Sequence, residues 1–243
     1  MEIDSAAAFG GALRDHLARV EEHNREVLDE VSGLLLDVVR ADGLVYTAGS
    51  GHSLALVLET FYRAGGLACV RPIVHAGWLP FNGARASTLL ERVEGLAETL
   101  MSAVQVSPRD MGFVFSNSGV NPAPVEIAQR LRAGGAPVVA VVSVAHMQQA
   151  PMRASAKLDQ FATHIIDTLV PPGDAVYPAG GARTAGLSSL VSIYCWTLLL
   201  ARLADRTRNG GVELPLWTSA NVEGGQQRNA QLLDRYSPRV QEL

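Results

Sequence analysis

The residues of this 243-residue chain best suited to chemistry are Gly49-Ser50-Gly51-His52-Ser53. Two glycines let the backbone turn tightly, two hydroxyls both donate and accept, and a loop imidazole can carry a proton near neutral pH. Such a cluster suits an anion, most simply a phosphate, if it opens a helix whose unpaired N–H groups and positive dipole end face the ligand. Ser53 is a candidate cap for that helix. A second small-residue cluster, Ser116-Asn117-Ser118-Gly119-Val120-Asn121, repeats the pattern. The spacing is neither GxGxxG nor GxxxxGKS, so dinucleotide and nucleoside-triphosphate fingerprints are both absent. Taken alone, a loop of this kind is more often an ordinary tight turn between a strand and a helix than a phosphate site.

Apolar runs on either side supply the elements that would hold these loops. Leu44–Tyr46 reads as a buried strand, followed after the first loop by a helix ending at Gly65-Gly66. Gly112–Phe115, the second loop, a helix from Pro122 to Ala133 and a strand over Pro137–Val144 form a second module of the same kind. Two such units predict a parallel, doubly wound sheet with ligand at the carboxyl ends of its strands. Leu67–Val74 and Thr163–Asp167 are further strands, and Ser87–Ser102 reads as one amphipathic helix. Asp4–Arg40 is helical in one or two pieces, with His16 and His23 on its solvent face. Pro171–Asp174 signals a turn before a long apolar helix reaching about Arg208, and Gln226–Tyr236 closes the chain as an amphipathic helix.

Composition narrows the class. With 48% apolar and 18% charged residues, the chain suits a buried parallel sheet and an oligomer. A net charge of −4 offers no electrostatic footprint for nucleic acid, and no membrane partner is expected. Thr184–Ala201 carries no charge and approaches the roughly 20 residues of a membrane span. Its serines and threonine favour a buried helix over a span. Met1–Gly11 lacks the basic start and apolar stretch of a signal peptide. Cys69 and Cys195 read as reduced core thiols, no Cys/His cluster has zinc spacing, and neither metal nor cofactor is expected.

GSGHS at Gly49–Ser53 and SNSGVN at Ser116–Asn121 resemble, in order and context, the SIS family of sugar isomerase domains that bind phosphosugars. Ser116, Ser118 and Gly119 match that family's SxSG signature. FYRAGG at Phe61–Gly66, PxGDA at Pro172–Ala175 and SANVEGG at Ser219–Gly225 resemble a small stand-alone branch of it. The resemblance spans about Phe9 to Tyr236. It implies a three-layer α/β/α fold on a five-stranded parallel sheet, with N- and C-terminal helices. The division is one domain over 1–243: a helical segment 4–40, an α/β core 41–208, and a C-terminal loop and helix 209–243. It also implies a homodimer or tetramer in the cytoplasm, and phosphate held by Ser50, Gly51, Ser53, Ser116, Ser118 and Asn121.

The reaction implied is aldose–ketose isomerisation of a sugar phosphate through an enediol, which needs a base and an acid that opens the sugar ring. Several catalytic members place a glutamate where this chain has Arg63. The helix carboxylate that remains is Glu59, roughly 9 Å along the axis from Ser53. It reads either as the base or as an i,i+4 ion pair with Arg63. His52 is the candidate acid. His75, Asn221 and Glu223 are possible substrate contacts, and Glu223 is a second candidate base. His146 and His164 are read as structural. The alternatives are a phosphosugar sensor that acts through a protein partner without catalysis, and an amino-sugar-phosphate lyase or etherase.

Overall fold

The structure is a computed structural model that describes Ile3, residues 5–208 and residues 210–243. The expected helix start at Asp4, the domain start at Met1 and the segment boundary at 209 lie outside the described residues. Ser5 caps α1 (Ala6–His23), its hydroxyl accepting from the N–H of Ala8. α2 (Arg25–Arg40) follows directly. The break between them is Asn24, buried, whose amide bridges Val20 O and both main-chain groups of Asp167 at 2.7–2.8 Å. A helix interior would not release that amide, so tertiary bonding sets the break.

The chain then lays down β1 (Val45–Gly49), α3 (Leu54–Thr60), β2 (Val70–Ile73), α4 (Ala84–Leu90), α5 (Leu96–Met101), β3 (Met111–Phe115), α6 (Pro122–Ala133), β4 (Val138–Val142), α7 (Val144–Gln149) and β5 (His164–Asp167). These strands form a five-stranded parallel sheet in the order β2-β1-β3-β4-β5. Every residue of β1, β3 and β4 is buried, as a sheet covered on both faces requires. From β1 the path runs outward through α3 to β2; from β3 it runs the other way through α6 to β4. Right-handed crossovers in opposite directions put α3 and α6 on opposite faces, giving the three-layer α/β/α fold. α8 (Ser188–Thr207) packs on α2 and α3 on one side, and α5 backs α6 on the other.

Several local expectations change. α3 ends at Thr60, not at Gly65-Gly66, because Phe61 is extended and Tyr62 is left-handed at φ 46°. The chain there turns to bond Gly65 and Gly66 to Trp217 (2.8 and 2.9 Å), which a continued helix would forbid. Ser87–Ser102 is two short helices, α4 and α5, interrupted at a left-handed Gly95. Val144 opens the short helix α7 instead of ending a strand, capped by the hydroxyl of Ser143. Before α8, β6 (Ala175–Tyr177) and β7 (Thr184–Gly186) form an antiparallel hairpin, so Thr184 lies outside that helix. α8 buries one stripe through Val191, Cys195, Leu199 and Leu203. Among the described residues no helix is long and apolar enough to cross a membrane. Both cysteines are free and buried, and burial raises each thiol to about 12. α9 (Gly225–Tyr236) ends the regular structure.

His16 is a further correction. It is buried, not solvent-facing: its Nε2 lies 3.0 Å from Thr168 O, at the end of β5. His23 is exposed, 3.9 Å from Asp167.

Candidate functional site

The strand order reverses between β1 and β3, and a reversal opens a crevice at the carboxyl ends of the two strands. Gly49 is paired with Phe115, so Ser50 and Ser116 leave the sheet side by side from strands about 4.8 Å apart. Both loops therefore begin at the crevice. Gly49 permits the close return of the first: a Cβ there would lie 2.9 Å from Ser53 O. Gly119 permits the second, with φ 60° and a backbone that would drive a Cβ to 2.8 Å from Met147 Sδ. Its N–H donates to Ser116 Oγ at 3.1 Å, folding the loop over itself.

Above the crevice is a cavity of about 660 Å³. Ser50, Gly51, His52 and Ser53 line it from the first loop, and Ser116, Ser118 and Asn121 from the second. The other residues placed in the site by sequence lie elsewhere. Glu59 is outside the cavity wall, in an ion pair with Arg63. His75 is turned away, its Nδ1 accepting from the N–H of Gly77 at 3.1 Å and its ring edge-on to Trp78. Asn221 and Glu223 are exposed on the loop after Trp217, also off the cavity wall.

Polar residues on the wall that the sequence reading did not assign to the site include Glu91, Asn117, His146 and Arg153. Glu91 caps the C-terminal end of α4, and its carbonyl accepts from the N–H of Ala123, tying it to the start of α6. Its Oε2 accepts from the Ser50 hydroxyl at 2.8 Å. That bond commits the Ser50 proton to a carboxylate, so Ser50 does not have it free for an anion. Arg153 follows α7 and donates from Nη1 to Asn121 Oδ1 at 3.2 Å. His146, on α7, has Nδ1 3.2 Å from Asn117 Nδ2. The position of α7, after β4 and next to β3, is the signal that could have pointed to it: the loop after β4 must open on the same sheet edge.

The anion chemistry differs from a helix-dipole cradle. α3 has seven residues, too few for a strong dipole. The first turn of α6 has no N–H to spare. Pro122 and Pro124 carry none, Ala123 donates to Glu91 O, and Val125 donates to Asn121 O at 3.4 Å. What faces the cavity is a set of hydroxyls, amides and imidazoles, with one guanidinium and one carboxylate. A carboxylate repels an anion and a guanidinium attracts one, so an anionic group belongs with Arg153 and Asn121.

A three-layer sandwich whose crevice is walled by two hydroxyl-rich loops defines the class. The model of the SIS domain matches residues 8–143, and the chain belongs to the SIS domain family. A UPF0309 protein of Brucella canis is 35% identical over 238 residues, covering 97% of this chain and 94% of that protein. A UPF0309 protein of Geobacillus kaustophilus is 29% identical over 232 residues, with 94% and 92% covered. Among solved structures, the fold is similar to that of phosphoheptose isomerase from Neisseria gonorrhoeae. That match has a TM-score of 0.54 and 16% identity, and covers 82% of this chain and 96% of the other.

Proposed function

We propose that the cavity binds a sugar phosphate and interconverts its aldose and ketose forms through an enediol. One observation carries the reading: a carboxylate, Glu91, and a guanidinium, Arg153, line the same cavity with the hydroxyls of both loops. Membership of the SIS domain family supports it, and a protein of similar fold is named a phosphoheptose isomerase.

In this reading the phosphate lies against Ser116, Ser118, Asn121 and Arg153, where hydroxyls, an amide and a cation replace the missing helix N–H groups. Ser53 borders it from the first loop, and Gly51 stands nearer the sugar, beside the Glu91 carboxylate. The sugar extends toward Glu91, whose carboxylate removes the proton alpha to the carbonyl and returns it to the neighbouring carbon. No net oxidation occurs, because the second carbon gains the hydrogen that the first loses. Ser50 orients that carboxylate through its 2.8 Å bond. His52, at the rim, exchanges the proton between the carbonyl and hydroxyl oxygens and assists ring opening. Glu91 thus takes the role that the sequence alone assigns to Glu59. The protein works as a homo-oligomer in the cytoplasm.

The test is a panel of aldose and ketose phosphates in heavy water, scored for binding by calorimetry and for deuterium at the carbon alpha to the carbonyl by NMR. Exchange with at least one bound ligand is expected. Binding without exchange anywhere in the panel would replace the enzyme with a sensor, and no binding at all would remove both.

A further inference from the structure

The opposite edge of the sheet carries a second pocket, which shares no lining residue with the cavity. It holds about 480 Å³, within the roughly 300–1,000 Å³ of small-molecule sites. Leu44 and Asp110 line it where the chain enters β1 and β3, whereas the cavity lies where those strands end. The five residues of β1, at about 3.3 Å each, put roughly 16 Å between the two.

Three arginines, Arg71, Arg109 and Arg239, share this wall with Tyr46. Tyr46 and Arg71 are register partners on β1 and β2, so their side chains stand next to each other on one face of the sheet. Burial, and after it Asp110, push the Tyr46 phenol up to about 12, while all three guanidiniums pull it the other way. The three charges therefore lie within electrostatic reach of one hydroxyl. In a chain of net charge −4 this is a local concentration of positive charge.

The protein's own acceptors leave much of that charge unused. Arg239 is engaged, donating to Asp42 O at 2.6 Å and to Asp42 Oδ1 at 3.1 Å. The Arg71 side chain is 12% exposed, and its buried Nε has no hydrogen-bond partner; Glu242 Oε2 stands 3.3 Å away without hydrogen-bond geometry. Arg109 is exposed and, among the described residues, its side chain makes neither hydrogen bond nor ion pair. Asp110, the carboxylate in the wall, is committed to the chain, accepting from the N–H of Leu44 and from the N–H and hydroxyl of Ser107 at 2.7–2.8 Å. A buried donor with no acceptor is costly, and an anion entering the pocket would supply one.

We propose that this pocket is a second ligand site, binding a small organic phosphate through Arg71, Arg109 and Arg239. A phosphate monoester carries about two negative charges, and its oxygens match the fork of a guanidinium. The pocket is larger than a phosphate alone, so Leu44, Val106 and Pro238 are left to face the organic part. The proposal does not depend on the sugar-phosphate reading of the cavity.

The experiment is calorimetry of the full chain with pyrophosphate, inorganic phosphate and citrate at constant ionic strength. It is run in an Arg153→Met/Ser118→Ala background that weakens the cavity. Pyrophosphate is expected to bind this background, and Arg109→Ala added to it should weaken that binding about 10–100-fold. Arg71→Met should do the same, with thermal melts as a folding control. Arg109→Ala keeps the test intact should Arg71→Met fail to fold, since the Arg109 side chain is exposed. No binding of pyrophosphate or phosphate at millimolar concentration, or binding within threefold after Arg109→Ala, overturns the proposal. Citrate bound more tightly than pyrophosphate overturns the phosphate assignment. A wild type that binds no sugar phosphate, yet binds pyrophosphate in an Arg109-dependent way, supports this site and removes the proposed function instead.

Discussion

Replacing Glu91 by glutamine keeps the shape of the side chain and an acceptor oxygen for Ser50 while abolishing its basicity. Two magnitudes follow. A hydrogen bond to a charged group contributes about 1.5–3 kcal/mol and a neutral one about 0.5–1.5, so the Ser50 bond weakens by on the order of 1 kcal/mol. Glu91 is partly solvent-accessible, which puts the loss at the low end, a fall in Tm of a few degrees at most for a domain of this size. The loss of general-base catalysis is far larger, about 10²–10⁴-fold. Deuterium incorporation into a bound sugar phosphate, followed by NMR, reads the second number, and calorimetry reads binding in the same samples. The expected result is near-wild-type affinity with exchange reduced at least a hundredfold. Exchange within threefold of wild type in a folded, ligand-binding variant would refute the assignment and return the base to another group.

Glu59→Gln should leave turnover unchanged and cost about 0.3–0.5 kcal/mol, the scale of an i,i+4 ion pair; thermal melts and exchange assays check both. Ser118→Ala and Arg153→Met should each weaken sugar-phosphate binding about 10–100-fold by calorimetry, the cost of one charge-assisted hydrogen bond, without lowering Tm. His16 gives a pH signature. Burial is the largest influence on it and holds its pKa below the usual 6.5, against the raising effect of its bond to Thr168 O. Below about pH 6.5 the unfolded chain therefore binds more protons than the folded one, and stability falls as pH drops until the folded-state value is passed. Urea titrations between pH 7.5 and 5 should show that loss, and His16→Gln should flatten it.

The sheet and both loops were legible because their signals are local. Uninterrupted apolar runs end in small residues, and helices follow; two such modules fix a switch point, and a switch point makes a crevice. What stayed hidden depends on contacts distant in sequence. Glu91 lies in a segment that reads as one helix, until a left-handed Gly95 divides it and the carbonyl of Glu91 reaches α6. Arg153 follows a helix of six residues, too short to announce itself by periodicity. His16 looks like the polar face of an amphipathic helix, and only its partner, Thr168, shows otherwise. The length of α3 was misread for the same reason, since Gly65 and Gly66 are claimed by Trp217.

The paired prolines at the start of α6 shape what the cavity can recognise. A backbone N–H can only donate, and it stays where the chain puts it. Hydroxyls swivel and trade one role for the other, so a pocket that relies on Ser116 and Ser118 can follow a phosphate through gain or loss of its proton. The same swivelling lets it hold a neutral sugar hydroxyl where a charged oxygen would otherwise sit. Breadth across related ligands is the natural outcome of such a lining, and discrimination falls to the fixed charges of Glu91 and Arg153.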